Sequence, residues 1–130
     1  MNEIFQIEPI GYASTDYTDA YYKADENGKR NYTKAKITML DKYKIGIKDL
    51  KKDMFITIIF YFNKSKEYNM VSPTCYSKEP LGIFSSRSPR RPNHLGITSS
   101  KILEITENTI VIETSDMIDG TPIIDIKLGK

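Results

Sequence analysis

The 130-residue sequence has one cysteine, one histidine and no tryptophan, and its most apolar stretch, Met54–Phe62, is only nine residues long. Cys75 cannot form an intrachain disulfide, and with His94 it provides no recognisable set of metal ligands. The stretch at Met54 is far too short to cross a bilayer as a helix, and residues 1–14 lack the pattern of a signal peptide. We therefore expect a cytoplasmic protein with no metal and no membrane partner.

Strong charge of either sign is also absent. Nineteen lysines and arginines against 17 aspartates and glutamates give a formal net charge of +2. This is far from the excess of a protein that binds nucleic acid by overall charge, so any basic function must be local. The length and the 39% content of hydrophobic residues predict one domain with a real core, spanning residues 1–130.

Short β-branched and aromatic segments predict a mainly β protein. Met54–Phe62 is bounded by polar residues, so we expect a central strand buried on both faces. Five other segments have strand character: Ile7–Ser14, Lys34–Leu40, Ile97–Thr106, Thr109–Thr114 and Pro122–Lys127. Helical spacing is weak and allows one short helix within Leu40–Asp53. Many short strands and at most one or two short helices favour a small barrel or sandwich.

Two polar segments are predicted to be loops. Ser14–Lys34 is rich in tyrosine and contains Glu-Asn-Gly-Lys, so it is an exposed loop or a hairpin. Lys64–Pro80 is a second long loop and contains Cys75, which we take as a free thiol without assigned chemistry.

The stretch GIFSSRSPRRPNHLG, Gly82–Gly96, combines arginines with prolines between two strand-like ends. The prolines restrict the backbone and Gly96 permits a close approach. Guanidinium groups suit carboxylate or phosphate, so Arg87, Arg90 and Arg91 suggest an anionic ligand. The residues alone also fit a Pro-x-x-Pro surface segment, a Ser-Pro phosphorylation site or a basic loop without a partner.

The stretch SDMIDGTPIIDIK, Ser115–Lys127, contains three aspartates near apolar strands. Asp119-Gly120 favours a hairpin turn between Thr109–Thr114 and Pro122–Lys127. Three alternative roles are open to the carboxylates of Asp116, Asp119 and Asp125: to pair with the arginines, to bind a ribose, or to orient a reacting amine.

Together, the two stretches resemble the signature of the TrmO-type (TsaA-like) family of S-adenosylmethionine-dependent tRNA methyltransferases. The family joins Gly-Ile-Phe, Arg-Ser-Pro and Arg-Pro-Asn to a later Asp-Gly-Thr-Pro and Asp-Ile-Lys, and this chain has each of these elements. The resemblance implies a small β-barrel that acts as a homodimer with S-adenosyl-L-methionine near the interface. It also implies methylation of N6 of threonylcarbamoyladenosine beside the anticodon of tRNA.

The resemblance assigns roles to individual positions. Residues matching cofactor-contacting positions are Arg87, Ile97, Thr114, Ser115 and Asp116, with Asn63 and Lys64 where the family has a histidine and a polar residue. Residues matching other motif positions are Arg91, Pro92, Asn93, Asp119, Thr121 and Asp125. The target N–H is acidified by its neighbours, so Asp119, Asp116 or a water would suffice to accept its proton. Ion pairing with the arginines is the alternative role of both aspartates.

The chain departs from the family pattern at three places. His94 stands where the family has proline, Lys127 is followed by Leu-Gly-Lys, and an early Pro-Arg-Gln element has no counterpart in Asp16–Asn27. We expect His94 to be a loop residue without a catalytic role. Two alternative functions remain at this level: methylation of a small molecule, and a non-catalytic module that binds an anion or RNA.

Overall fold

A computed structural model describes residues 2–16, 33–64, 67–74 and 77–129. Six antiparallel strands close into a barrel in the order β1-β2-β7-β6-β3-β8, and β4 and β5 form a separate two-stranded sheet. The strands are β1 Gly11–Ser14, β2 Thr33–Met39, β3 Phe55–Tyr61, β4 Val71–Thr74, β5 Ser77–Gly82, β6 Leu95–Ile105, β7 Thr109–Ser115 and β8 Pro122–Leu128. The predicted mainly β barrel is confirmed.

Side chains alternate between the barrel interior and the outer surface. On β3, Ile56, Ile58 and Phe60 are buried, whereas Phe55 is 48% exposed and the other outward residues are half-buried. The prediction that this strand is buried on both faces was therefore wrong. It does have a neighbour on each edge, β6 and β8, but a closed barrel has only one interior to bury side chains in.

The Asp119-Gly120 dipeptide forms a turn but not the predicted hairpin. β7 pairs with β2 and β6, whereas β8 pairs with β3 and β1, so the strands flanking the turn are not neighbours. Thr121 N–H donates to the Ile118 carbonyl at 3.1 Å, and Gly120 has φ 85°. A single positive φ at this third position matches a type II turn, whereas the favoured type I′ hairpin turn needs two.

The predicted loop at Lys64–Pro80 contains a short hairpin instead. β4 pairs with β5 in the registers Val71–Gly82 and Ser72–Leu81. The sequence did not predict this pair, because Pro73 and its polar neighbours interrupt the alternation of apolar and polar residues that is typical of a strand. Cys75 and most of the tyrosine-rich segment, including Glu-Asn-Gly-Lys, lie outside the described residues.

Three short 3₁₀ turns are the helical elements of the described chain. Lys44–Ile47 confirms the single short helix predicted before β3, and its Ile47 is buried in the core cluster. The other two, Ile83–Ser85 and Pro92–His94, lie within the segment between β5 and β6. None of the helices in the described ranges has the length and apolar character needed to span a membrane.

Candidate functional site

The arginine loop, Gly82–Gly96, is braced largely by its own polar groups. Ser86 Oγ donates to the Ile83 carbonyl at 3.0 Å, and Arg90 N–H donates to Ser88 Oγ at 3.2 Å. Arg91 Nη1 donates to the Ser86 carbonyl at 2.7 Å, and its guanidinium lies 5.9 Å from the centre of the Phe84 ring. Arg91 therefore holds the loop together, while Arg87 and Arg90 are exposed to solvent.

Backbone conformation at the end of this loop explains one departure from the family pattern. Asn93 has φ 65° and His94 has φ 50°, both in the left-handed region. Asparagine and histidine are among the non-glycine residues that most often adopt it, whereas proline is fixed near φ −65°. A proline at position 94 could not form the loop that this chain has. Pro92 starts the 3₁₀ turn, and Asn93 is exposed.

Gly96 allows β6 to begin directly over two phenylalanine rings. A Cβ placed at Gly96 would lie 2.6 Å from Cε2 and Cζ of Phe60 and 2.7 Å from Cζ of Phe62. The two rings meet edge to face with centroids 5.1 Å apart. The close approach predicted for this glycine is thus found, and it fixes where the loop joins the sheet.

An open groove of about 410 Å³ lies beside the arginine loop. Its lining combines one cation, one apolar side chain and three hydroxyl groups, from Arg87, Ile97, Thr98, Ser99 and Thr114. The cation comes from the loop, three residues come from the start of β6 and the last from the end of β7. Closing the barrel brings β6 and β7 together, so Arg87, Ile97 and Thr114 meet although they are distant in sequence.

Ser115 and Thr121 support the backbone around the turn that follows β7. Ser115 is buried and its Oγ accepts a hydrogen bond from Met117 N–H at 2.9 Å. Thr121 is also buried, and its Oγ1 donates to the Ile118 carbonyl at 2.5 Å. Asp116 lies between them and is half-buried. Two of these three predicted site residues thus have their hydroxyl groups engaged within the turn.

Asp119 is exposed and ties the turn to the end of β1. Its Oδ1 accepts a hydrogen bond from the backbone N–H of Thr15 at 3.0 Å, and Thr15 Oγ1 donates to the Met117 carbonyl at 2.8 Å. Among the described residues, the ion pairs that the structure gives all use lysine as the cation, so none joins an arginine to Asp119.

Asp125 lies apart from the groove. Its Oδ2 pairs with Lys127 Nζ at 2.9 Å, and its Oδ1 accepts from Ile126 N–H at 2.9 Å. It lines a different depression, of about 360 Å³, together with Tyr43 and Leu50. Tyr43 donates a hydrogen bond to the nearby Glu8, which also pairs with Lys42, and these contacts lower the pKa of Glu8.

Asn63 and Lys64 are exposed just beyond β3 and do not line the groove. The preceding residue, Phe62, donates its N–H to the His94 carbonyl at 2.8 Å, so the end of β3 is joined to the end of the arginine loop. Predictions from sequence missed Thr98 and Ser99, although the run Thr98-Ser99-Ser100 on a strand just after the loop was a usable signal. The described ranges contain no cluster of three potential metal ligands.

Nearly the whole chain matches one protein family. The family model described as the tRNA-methyltransferase O N-terminal domain matches residues 13–128. The chain belongs to this TrmO family. It is 31% identical over 91 residues, 70% of the chain, to a probable S-adenosyl-L-methionine-binding protein of Pyrococcus abyssi, and it spans 50% of that protein.

Two further similar proteins are longer than this chain. The chain is 28% identical over 127 residues, 92% of its length, to the human tRNA (adenine(37)-N6)-methyltransferase, of which it spans 29%. It superposes on a crystal structure of TrmO with a TM-score of 0.77 and 20% identity, over 98% of this chain and 58% of that one. The barrel is therefore the fold of the TrmO N-terminal domain, and this chain spans little more than half of the solved TrmO chain.

Proposed function

We propose that this TrmO-family domain is an S-adenosyl-L-methionine-dependent methyltransferase acting on N6 of threonylcarbamoyladenosine next to the anticodon of tRNA, in the cytoplasm. The observation that carries the proposal is the meeting of Arg87, Ile97 and Thr114 in one groove. The resemblance gives all three positions to the cofactor, and they come from three different elements. Relatives named for S-adenosyl-L-methionine binding and for tRNA methylation support it.

The groove fits the chemistry of the cofactor. Its volume of about 410 Å³ falls in the range of about 300–1,000 Å³ typical of small-molecule sites. Arg87 offers a planar fork to a carboxylate, the hydroxyl groups of Ser99 and Thr114 offer hydrogen bonds, and Ile97 offers an apolar surface to a purine ring. Among the described residues, Arg87 forms no ion pair that would compete for its guanidinium.

The protein has a modest catalytic task, because the cofactor supplies a methyl group already activated on a sulfonium. The residues of this chain have to orient the acceptor nitrogen, exclude water and accept a proton. Asp119 suits the last role, since only its Oδ1 is used by Thr15 and its carboxylate is exposed at the end of the barrel. Asp116, two residues beyond Thr114, is the second candidate.

A second copy of the chain would complete the groove. On the outer surface of β3 and β6, Ile59 pairs with Ile97 and Tyr61 with Leu95. Leu95 is 38% exposed and Ile97 is 48% exposed, so an apolar strip borders the groove. Covering this strip by a two-fold related strip would bury apolar surface and exclude water from the site, which supports a homodimer.

Calorimetric titration of S-adenosyl-L-methionine into the purified protein tests the cofactor assignment directly. We expect saturable binding that weakens at least tenfold in Arg87→Ala. The matched control is Arg90→Ala, since Arg90 is exposed in the same loop but does not line the groove. Equal weakening by both substitutions would mean that the loop contributes only general positive charge.

Methyl transfer to tRNA containing or lacking the threonylcarbamoyl group tests the acceptor. Transfer only to the modified tRNA is expected. Transfer to small metabolites instead would overturn the tRNA assignment while leaving the cofactor assignment intact. Cofactor binding without any transfer would favour a binding module.

A further inference from the structure

The segment Pro80–Leu103 contains no acidic residue. Its charged residues are three arginines and a lysine, and the only histidine of the chain lies among them. Over these 24 residues the local charge differs sharply from the near balance of the whole chain. A surface of this kind attracts phosphate by charge, although charge alone does not indicate which part of a nucleic acid it contacts.

Aromatic rings lie on the same surface. The Tyr68 ring is 6.5 Å from the His94 ring, measured between centroids, at an interplanar angle of 68°. The Tyr61 ring also contacts His94, with its centroid 6.3 Å from that of His94 and an interplanar angle of 84°. His94 N–H donates to the Arg91 carbonyl at 3.1 Å, and its Nδ1 lies 3.2 Å from the Pro89 carbonyl. The imidazole is thus fixed, while Tyr68 is 52% exposed.

Phe84 adds a third accessible ring. It is 72% exposed although it belongs to a short 3₁₀ turn next to buried Ile83. The guanidinium of Arg91 lies over it at 5.9 Å and is itself held by the Ser86 carbonyl. The Arg91 carbonyl also accepts the hydrogen bond from His94 N–H. Arg91 therefore links Phe84 to His94, and His94 in turn contacts Tyr68, so all three rings border the same loop.

We propose that Tyr68, His94 and Phe84 form a stacking surface for unpaired RNA bases beside the cofactor groove, with Arg90, which does not line that groove, contacting a flanking phosphate. This inference rests on the proposed function, which it deepens by assigning where unpaired nucleotides next to the target bind. Proteins that bind single-stranded RNA combine exposed aromatic rings with a positively charged track in this way. His94, which replaces the family's proline, makes this surface a property of this chain.

The positive charge of the stacking surface favours RNA over a second copy of the chain as its binding partner. A two-fold contact through this surface would bring the arginine loops of both copies together, and like charges that face each other in an interface are repelled. RNA phosphates have the opposite charge. The apolar strip that we assign to dimerisation lies on β3 and β6, where Ile59 pairs with Ile97, and it includes none of the three arginines.

Fluorescence anisotropy with a labelled anticodon stem-loop RNA and the full chain tests this surface. We expect Tyr68→Ala and His94→Asn each to weaken binding by about tenfold, as expected for the loss of one stacked base. Asparagine is chosen at position 94 because it tolerates the positive φ found there. Tyr68→Phe should retain the affinity, because it keeps the ring. The matched control is Tyr12→Ala, which removes a tyrosine that is 43% exposed on β1.

Four outcomes would overturn the inference, and the first three are seen in the binding measurements themselves. These are no RNA binding by the wild type, equal affinity of the Tyr68→Ala and Tyr12→Ala variants, and equal affinity for the stem-loop and a fully paired duplex. The fourth outcome comes from sedimentation. If Tyr68→Ala changes the oligomeric state of the protein, and the fall in RNA affinity follows from that change alone, the inference is also overturned. Failure of the proposed function is separable, because it would appear as lost cofactor binding or methyl transfer while RNA binding and its dependence on Tyr68 persist.

Discussion

The side chain of Ser100 joins β6 to the end of β7 directly behind the groove. Its Oγ accepts a hydrogen bond from the backbone N–H of Thr114 at 3.0 Å and lies 3.4 Å from Thr114 Oγ1. Ser100 is 2% exposed, so this contact is shielded from water. The backbone pairs between the two strands run from Ile105–Ile110 to Ile102–Ile112, with one shift of register between Ile102 and Glu104. Ser100 lies beyond the last of these pairs, so its hydroxyl provides the acceptor for the Thr114 N–H there.

Ser100→Ala should open the groove by freeing the Thr114 N–H. We expect the free energy of unfolding to fall by about 1 kcal/mol and the affinity for S-adenosyl-L-methionine to fall at least fivefold. Thr106→Ala is the matched control, since Thr106 Oγ1 accepts from Thr109 N–H at 3.0 Å at the other end of the same strand pair. Urea denaturation should show a smaller loss of stability in the control, because Thr106 is exposed and water can replace its hydroxyl, and calorimetry should show no loss of cofactor affinity.

Gly96→Ala should destabilise the barrel by about 1–3 kcal/mol, because the added methyl group would overlap the rings of Phe60 and Phe62. Gly82, at the other end of the arginine loop, has φ −56° and open space where an added Cβ would lie. Gly82→Ala should therefore change stability little in the same urea titration. Equal stability of both variants would show that the two rings move aside at little cost.

Arg91→Lys should loosen the arginine loop although the charge is kept. A lysine cannot reproduce the planar guanidinium that lies over Phe84 while donating to the Ser86 carbonyl. We expect amide hydrogen exchange within Gly82–Gly96 to accelerate by about threefold to tenfold. Arg90→Lys, a change at an exposed position of the same loop, should leave the exchange rates unchanged.

Asp119→Asn separates proton acceptance from support of the turn. The amide oxygen of asparagine can still accept from Thr15 N–H, so stability and cofactor affinity should be retained. If Asp119 accepts the proton, turnover should fall by about a hundredfold, the lower end of general-base effects. Equal losses of turnover and cofactor affinity would show that Asp119 serves the turn, and Asp116→Asn should then be measured in the same assay.

Methyl transfer should not depend on a metal ion. The residues assigned to the groove contribute a guanidinium, hydroxyl groups and an apolar side chain, which are poor ligands for divalent cations. Dialysis against a chelator should leave turnover unchanged. Loss of activity that one particular metal restores would contradict this assignment.

Local pattern accounts for much of the fold. The barrel strands β2, β3, β6, β7 and β8 fall within one or two residues of the predicted segments, because alternation of apolar residues reports which side chains face the interior. β1 is shorter than predicted, because the predicted segment begins at Ile7 whereas pairing with β2 begins only at Gly11. The β4–β5 pair could not be found this way, because its sequence contains Pro73 and Pro80 and lacks a regular alternation of apolar and polar residues.

The β class, the arginine loop and the family could all be read from the chain alone, because they depend on composition, spacing and contiguous motifs. Which residues share a groove depended on the folded barrel: it joined Arg87 and Thr114, added Thr98 and Ser99, and separated Asp125 from them. The pairing of β7 and β8 with other strands, and not with each other as a hairpin, was likewise visible only in the folded barrel. The physical reason is that barrel closure depends on pairing between distant strands, and local sequence constrains that pairing only weakly.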